Sequence, residues 1–421
     1  MKLLLLTTLF LATVTALQIY PKDKDDDTSL APLISSPDAE TIPDKYIVVF
    51  KTDVAADKIS CHHNHINDLL FDERKKFKRG FMNELISGIE HVYNLDGFQG
   101  YSGRFSADVL NNIRQSDDIA YVEKDHKVYT NIVQNNAPWG LARISHRERL
   151  QWNTFDKYLF NPAGDDTTAY VIDTGVYINH TDFGGRARWG VTIPYGEPNI
   201  DNVGHGTHVA GTIAGSRFGV AKNARIVAVK VLGQNGGTVS DVIKGIEWTV
   251  RDHKREAKRV GRRYKGSVAN MSLGGAKSYA LEMAANAAVD NGIVLVVAAG
   301  NSNADACTQS PSGATKAISV AASTIRDERA GFSNYGRCVA LFGPGQDILS
   351  AWIGYPSATN RISGTSMASP HVAGLAAYFL SLSPSQLNPV ALRNKLLALA
   401  TRNALSDVMG SPNLLAYNGY A

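Results

Sequence analysis

Gly364-Thr365-Ser366-Met367-Ala368-Ser369-Pro370-His371 leads straight into Val372-Ala373-Gly374-Leu375-Ala376-Ala377-Tyr378-Phe379-Leu380. The second stretch has the length and unbroken apolar character of a buried helix. Small residues surround Ser366 at its mouth, so backbone can come close to the hydroxyl. A serine there lies in the field of unpaired helix N–H groups, which favours developing negative charge. A serine before a helix is also a common N-cap. It reads as a nucleophile only if a base, an orienting acid and an oxyanion donor exist elsewhere.

A fully buried helix needs apolar surface on all sides, and the chain from residue 137 onward supplies it. Apolar runs at 169–172, 226–232, 268–273, 293–299 and 318–322 alternate with helical patterns such as 239–253 and 278–291. Continuous apolar strands alternating with helices imply a parallel sheet covered on both faces. Active sites in such sheets gather at the carboxyl ends of the strands.

The preceding part reads differently. Tyr46-Ile47-Val48-Val49-Phe50 is a strand, 64–89 carries a charged helix, 97–105 fits an aromatic hairpin strand, 107–115 is a short helix and 119–123 a last strand. The order β-α-β-β-α-β is that of a small ferredoxin-like α+β domain, spanning 44–131. Residues 17–43 are polar, with the acidic run Asp23-Lys24-Asp25-Asp26-Asp27, and read as a linker. Residues 1–16 read as a secretory signal: Lys2, an apolar stretch, then Val14-Thr15-Ala16 as a small-residue cleavage site. The apolar stretch is too short to span a bilayer. A soluble, exported protein is expected, either extracellular or delivered to a vacuolar lumen.

With 421 residues, 44% hydrophobic and 19% charged, the bulk is globular rather than disordered, and a net charge of +4 demands no acidic partner. The Lys/Arg-rich stretch 251–265 has no interleaved aromatics, so it reads as a solvated helix end rather than a nucleic-acid patch. Of the three cysteines, Cys307 and Cys338 lie in the same domain and are expected to pair, since export permits disulfides. Cys61 is left over, in the part expected to be removed on maturation.

Three further residues are each ambiguous alone. Asp173 ends the strand 169–172, where a carboxylate can be held ionised by turn N–H groups or simply cap a turn. His205 lies in Gly204-His205-Gly206-Thr207-His208, with glycines leaving one face of the ring clear. Its spacing to His208 is not that of a zinc helix and no Glu base adjoins it, so no metal is expected there. Asn301, after the strand 293–299, has an amide that could donate to an oxyanion or merely complete a turn.

Together these segments resemble the subtilase family. Asp173-Thr174-Gly175, His205-Gly206-Thr207-His208 and Gly364-Thr365-Ser366-Met367-Ala368 match its triad motifs in the order Asp, His, Ser. Within the family the chain is similar to the proteinase K group, most of all to fungal cerevisin-type enzymes. Asn136-Ala137-Pro138-Trp139-Gly140-Leu141 resembles the start of those mature enzymes, and 44–130 resembles their inhibitor-type propeptide. The resemblance implies a subtilisin-like peptidase domain over 132–421 and a serine endopeptidase of broad specificity. Ser366 would be nucleophile, His205 base, Asp173 its orienter and Asn301 an oxyanion donor. Ser272, Leu273 and Gly274 would pair with substrate backbone, and with Ala298, Ala299 and Gly300 would wall a pocket for the residue before the cleaved bond. The Cys307–Cys338 pair matches the cerevisin-type pattern.

The resemblance also implies a zymogen. The 44–131 domain would be an intramolecular inhibitor and chaperone, its tail from 122 lying product-like in the cleft, with self-cleavage near 130–133. Protein or peptide substrates, a monomer and no membrane anchor are expected. Calcium is not: the expected ligands are Ala340 and Arg147, and a hard cation needs carboxylates. Asn179-His180-Thr181 is a plausible glycosylation sequon, whereas Asn270-Met271-Ser272 lies on the substrate strand and should stay unmodified. The rival expectation is a catalytically silent subtilase fold that binds or scaffolds. Such a chain should lose a triad or oxyanion residue, and none is lost.

Overall fold

The structure, a computed structural model, describes residues 30–35, 41–76, 88–126 and 132–420. The signal stretch 1–16, the acidic run 23–27 and residues 127–131, which include the first half of the expected cleavage window, lie outside the described residues. Two compact units follow one another along the chain, Met1–Val128 and Tyr129–Ala421.

The first unit contains β1 (Leu33–Ile34), β2 (Thr41–Phe50), α1 (Ala56–Lys76), β3 (Gly88–Leu95), β4 (Phe98–Arg104), α2 (Ala107–Arg114) and β5 (Ile119–His126). Its sheet runs β1-β5-β2-β4-β3. Without β1 this is the ferredoxin-like order expected from the sequence. Two boundaries differ. The helix expected over 64–89 begins at Ala56 and is described to Lys76, and Gly88 and Ile89 belong to β3, whose outward residues are mostly exposed and carry little apolar signal. Within the stretch read as linker, Leu33–Ile34 pairs in parallel with Val122 and Glu123, and Thr41 already belongs to β2. The core gathers Val48, Phe50, Ile66, Tyr101, Phe105, Ile113 and Val122.

The second unit opens with β6 (Ile132–Gln134), α3 (Trp139–Arg143) and β7 (Tyr158–Phe160), where β6 and β7 form a two-stranded ribbon. Its main sheet is built from β8 (Thr167–Asp173), β9 (Ala187–Thr192), β10 (Arg225–Lys230), β11 (Gly266–Met271), β13 (Ile293–Ala298), β15 (Ile318–Ser323) and β16 (Leu341–Pro344), all parallel. Short strands β12 (Gly275–Ala276) and β14 (Gln309–Ser310) pair beside it, β17 (Ile348–Ala351) and β18 (Thr359–Ile362) form a hairpin, and β19 (Thr401–Arg402) and β20 (Leu414–Leu415) complete the edge beyond β16. Helices α4 (His205–Ala214) and α7 (Thr365–Leu382) pack together on one face, and α5 (Val239–Val260) and α6 (Tyr279–Asp290) on the other. Helix α8 (Pro389–Leu399) packs on α7.

The two-residue period of a strand explains the layering. In β8, Ala169 and Val171 join the α4/α7 core, while Tyr170 and Ile172 join the α5/α6 core. Helix α7 is buried from Thr365 to Leu380 on nearly every side, as its continuous apolar run requires. Gly374 permits this: a β-carbon there would sit 2.6 Å from Val220 Cβ and 3.0 Å from the Ile213 carbonyl oxygen, so α4 and its following loop would have to retreat.

The sheet order across its middle is β13-β11-β8-β10-β9. From β8 the chain first builds outward through β9 and β10, then crosses back to lay β11 on the other side. That reversal leaves a crevice beyond the carboxyl ends of β8 and β11, the place where α/β sheets bind ligands.

Cys307 and Cys338 are joined, with 31 residues of sequence separation, and Cys61 is free and exposed on α1. Closing a loop of this length restricts the unfolded chain by roughly 3–4 kcal/mol in the chain-entropy model. The double variant Cys307→Ser/Cys338→Ser should therefore unfold at markedly lower urea concentration. Reduced parent protein should match it, and coincidence of oxidised parent and double variant would remove the cross-link from the stability account.

Candidate active site

Asp173 is the last residue of β8 and is fully buried. Its Oδ1 accepts from the Thr174 N–H at 2.8 Å and meets His205 Nδ1 at 2.7 Å. His205 opens α4, and Gly204 before it has φ +96°, which suits glycine. A side chain on Gly204 would also run into the Trp352 indole at 2.6 Å. The sequence around the histidine is thus fixed by a left-handed cap and by close ring packing.

A second carboxylate organises this corner. Asp201 is buried, and its Oδ1 accepts from Thr174 Oγ1 (2.9 Å), Val203 N (3.1 Å) and Gly204 N (2.9 Å). Its Oδ2 accepts from Thr207 N (2.9 Å) and Thr207 Oγ1 (2.6 Å). Thr174 Oγ1 in turn accepts from Gly206 N at 2.9 Å. Burial alone would lower the His205 pKa. The field and hydrogen bond of Asp173, with the field of Asp201, outweigh it and hold the imidazole above its usual value. Lys230 pairs in register with Asp173, is buried, and donates to the Thr174 carbonyl (2.9 Å) and Asn202 Oδ1 (2.9 Å) with Glu197 at 3.3 Å. Asp201 and Lys230 were missed in the sequence. The acid four residues before His205 was the available signal.

His208, one turn into α4, faces away. Its Nε2 lies 2.9 Å from the Ile348 carbonyl oxygen, and burial pushes it down to about 4, a neutral structural histidine.

The next strand, β11, ends at Met271 and continues into Ser272, Leu273 and Gly274. Ser366 is the second residue of α7, and two reciprocal bonds tie it to this segment. Ser366 Oγ donates to the Ser272 carbonyl at 3.2 Å, and Ser272 Oγ donates to the Ser366 carbonyl at 2.7 Å. The second bond exists because Pro370 stands four residues on and has no N–H to offer the Ser366 carbonyl. Asn270 strengthens the joint: its Nδ2 donates to Ser272 Oγ at 2.8 Å and its Oδ1 accepts from Ser369 Oγ at 2.6 Å. Asn270 is buried, as its reading as an unused sequon requires, while Asn179 lies exposed in a turn.

After β13, Asn301 completes the set. Its Oδ1 accepts from Thr365 N and Thr365 Oγ1, both at 2.8 Å, which leaves the amide NH₂ facing outward. A β-carbon on Gly364 would lie 3.6 Å from Asn301 Nδ2 and 3.6 Å from Ser366 N. Two N–H donors therefore border the space that Gly364 leaves open at the start of α7. Adjacent strands β8, β11 and β13 deliver Asp173, the Ser272 segment and Asn301 to the same end of the sheet. His205 and Ser366 arrive there on α4 and α7.

The residues expected to wall the pocket differ in what they expose. Leu273 is half-buried and Gly274 exposed, beyond the last ladder pair of β11 with β13. Ala298 is nearly buried, but the Ala299 methyl packs into a separate cluster with Ala306, Ala321 and Phe342. Ala299 can present backbone only. Gly300 abuts Asn334, whose amide donates to the Ala299 carbonyl at 2.9 Å and fixes the turn.

Neither position expected to ligate calcium presents a carboxylate. Ala340 offers no ligand, and Arg147 donates to the Leu399 carbonyl at 3.2 Å with its guanidinium over the Tyr417 ring. Among the described residues no three His, Cys, Asp or Glu side chains are placed to share a metal ion. Among those residues no helix is long and apolar enough to cross a membrane.

The chain is similar to known proteins in sequence and fold. Residues 164–419 fit the model of the subtilase family, and residues 45–131 fit that of the peptidase inhibitor I9. A subtilisin-like protease of Coccidioides posadasii is 50% identical over 414 residues, covering 92% of this chain and 83% of that protein. Alkaline protease 2 of Aspergillus fumigatus is 49% identical over 414 residues, covering 92% and 84%. The crystal structure of a cold adapted subtilisin-like serine proteinase is 46% identical with a TM-score of 0.61, over 68% of this chain and 99% of that one.

Proposed function

The chain belongs to the subtilase family as a serine endopeptidase, and we propose that Asp173, His205 and Ser366 carry its reaction, with Asn301 as oxyanion donor. The observation that carries this reading is the 2.7 Å Asp173–His205 bond at the carboxyl end of β8, beside the strand end that is tied to Ser366. Ser366 Oγ turns from the Ser272 carbonyl and attacks the peptide carbonyl carbon as its proton passes to His205 Nε2. The C–N bond then breaks as His205 returns that proton to the leaving amine. Water repeats the sequence on the acyl-enzyme. Asp173 keeps the proton on Nδ1 so that Nε2 can act as base. Asn301 Nδ2 and the Ser366 N–H stabilise the tetrahedral oxyanion. Ser272, Leu273 and Gly274 hold substrate backbone as an added strand, with Ala298 and the backbone of Ala299 and Gly300 walling the pocket.

A serine-directed fluorophosphonate tests this directly. One equivalent should label Ser366 and end peptide hydrolysis. The labelling rate should fall with acid around a pKa above the usual 6.5 of histidine, because the raised His205 must be neutral to act. Full inactivation with the label on another residue would defeat the assignment.

The amino-terminal unit is read as inhibitor and folding aid, released by self-cleavage near 130–133, in a protein exported through the secretory pathway and glycosylated at Asn179. Its core contains a pH limit. His62 is only 8% exposed, bonds Tyr101 OH at 2.9 Å, and is pushed down to about 4 by burial, with smaller contributions from His63 and His65 opposed by Asp118. The unfolded chain binds that proton near 6.5, so the stability it supports is whole above pH 6.5 and is lost as pH falls toward 4. After discounting for partial solvation the loss is about 2 kcal/mol. Once corrected for the intrinsic slowing of amide exchange in acid, hydrogen exchange of β2 and α1 in the full-length Ser366→Ala chain should quicken between pH 7 and pH 4.5. In His62→Gln the acceleration should shrink, and an identical pH profile in that variant would acquit the residue.

A further inference from the structure

Arg225 is the first residue of β10, at the amino end of the sheet. Its Nε and Nη2 are both buried, and neither meets a hydrogen-bond acceptor among the described residues. These two nitrogens form the edge of a guanidinium that grips an oxyanion through two parallel hydrogen bonds. A buried charged donor with no acceptor is costly, so its presence asks for an occupant.

A cavity of about 320 Å³ adjoins it, lined by Thr168, Arg186, Arg188, Arg225, Glu256 and Arg259. Four guanidinium groups line it against a single carboxylate. That carboxylate is already engaged: Arg259 Nη2 lies 2.7 Å from Glu256, and Arg188 lies 3.7 Å from it. The nearby Asp252 is held by Arg188 and Arg255. Arg186 is fixed by neutral acceptors only, the carbonyls of Ala214 (2.7 Å), Ala224 (3.0 Å) and Asp182 (3.2 Å) and Ser216 Oγ (3.1 Å). The Asp182 carboxylate acts on it through space. Glu256 acts on Arg225 through space, but no carboxylate oxygen bonds Arg225 Nε or Nη2.

We propose that this cavity is a binding site for a phosphate-class oxyanion, held side-on by Arg225 with Arg186 and Arg259 adding charge. The volume suits one phosphate or a small phosphomonoester, not a polymer. Arg225 pairs in register with Thr168, five residues from Asp173 along β8, so the site stands about 17 Å from the triad aspartate. It is separate from substrate binding. The basic stretch 251–265 then does more than solvate a helix end, since Glu256 and Arg259 form one wall. A bound anion would tie the starts of β9 and β10 to the second half of α5.

The test uses full-length Ser366→Ala protein, which does not digest itself, exchanged into phosphate-free buffer of low salt and titrated with inorganic phosphate. Calorimetry should show saturable binding at one site, and the melting temperature should rise by about 5 °C at a hundredfold excess over the dissociation constant. Arg225→Leu should abolish both responses. Without phosphate it should melt no lower than the parent, because it removes two buried donor nitrogens that lack acceptors. Arg259→Gln, at the more exposed rim, should weaken binding about tenfold and leave the fold intact. No saturable binding in the millimolar range, or equal phosphate responses in parent and Arg225→Leu, overturns the proposal. Should Arg225→Leu not fold, unchanged affinity in Arg259→Gln overturns it.

Discussion

Ser366→Ala should lower kcat/KM on a chromogenic peptide by about 10⁶-fold, the size of loss established for the subtilase serine rather than one calculated for this chain. Nothing in the site can replace the lost hydroxyl. Ser272 is the nearest alternative, but its Oγ is spent on the Ser366 carbonyl and receives the Asn270 amide. A residual rate about 10³–10⁴ above water should remain, because Asn301 Nδ2 and the backbone N–H of residue 366 still border the oxyanion space. The substitution removes one oxygen at a partly exposed helix start, so the melting temperature should hardly change. The precursor should also stay uncleaved near 130–133. Retention of more than a small fraction of activity by a well-folded variant would move the nucleophile elsewhere.

Asp173→Asn should cost about 10⁴-fold near neutral pH, with the fold retained. Asp173 Oδ1 receives His205 Nδ1–H in a buried corner. An asparagine placed there can present its NH₂ instead, which moves the imidazole proton to Nε2 and leaves no base facing Ser366. The pH profile distinguishes this from simple damage. Removing the charge of Asp173 takes away the main influence that lifts His205, so burial prevails and its pKa falls. The acid limb of the remaining activity should shift to lower pH. A loss of similar size with an unmoved acid limb would mean that Asp173 supports the corner without tuning the base.

Much of this was legible because it is carried by unbroken patterns. The strands through 169–172, 268–273 and 293–299 and helix α7 are continuous apolar runs, and burial on both faces leaves such runs little freedom. Helix α5 ran past its expected end at 253 to Val260 because Asp252 and Glu256 pair with arginines one turn on, support that hydrophobic periodicity does not register. Strand β3 was hidden because its outward residues face water. At the site, Asp173, His205, Asn301 and Ser366 could be named from motif and order. Asp201 and Lys230 could not, since their meaning lies in five accepted hydrogen bonds and one buried ammonium that only the folded chain assembles. That Ala299 can offer a pocket only its backbone was hidden for a related reason. Alternation along the turn after β13 sends its methyl into the core rather than toward a pocket.

The missing N–H at Pro370 has a mechanical meaning. An intact helix would spend the Ser366 carbonyl on its own ladder and touch the substrate strand only through side-chain packing. The gap instead lets the residue that bears the nucleophile be pinned to Ser272 by one short bond, with Asn270 and Ser369 as a brace behind it. A peptide held on Ser272, Leu273 and Gly274, as proposed, would pull on the same pin that sets the height of Ser366. Docking and aiming would then be one displacement, carried by a defect in the helix.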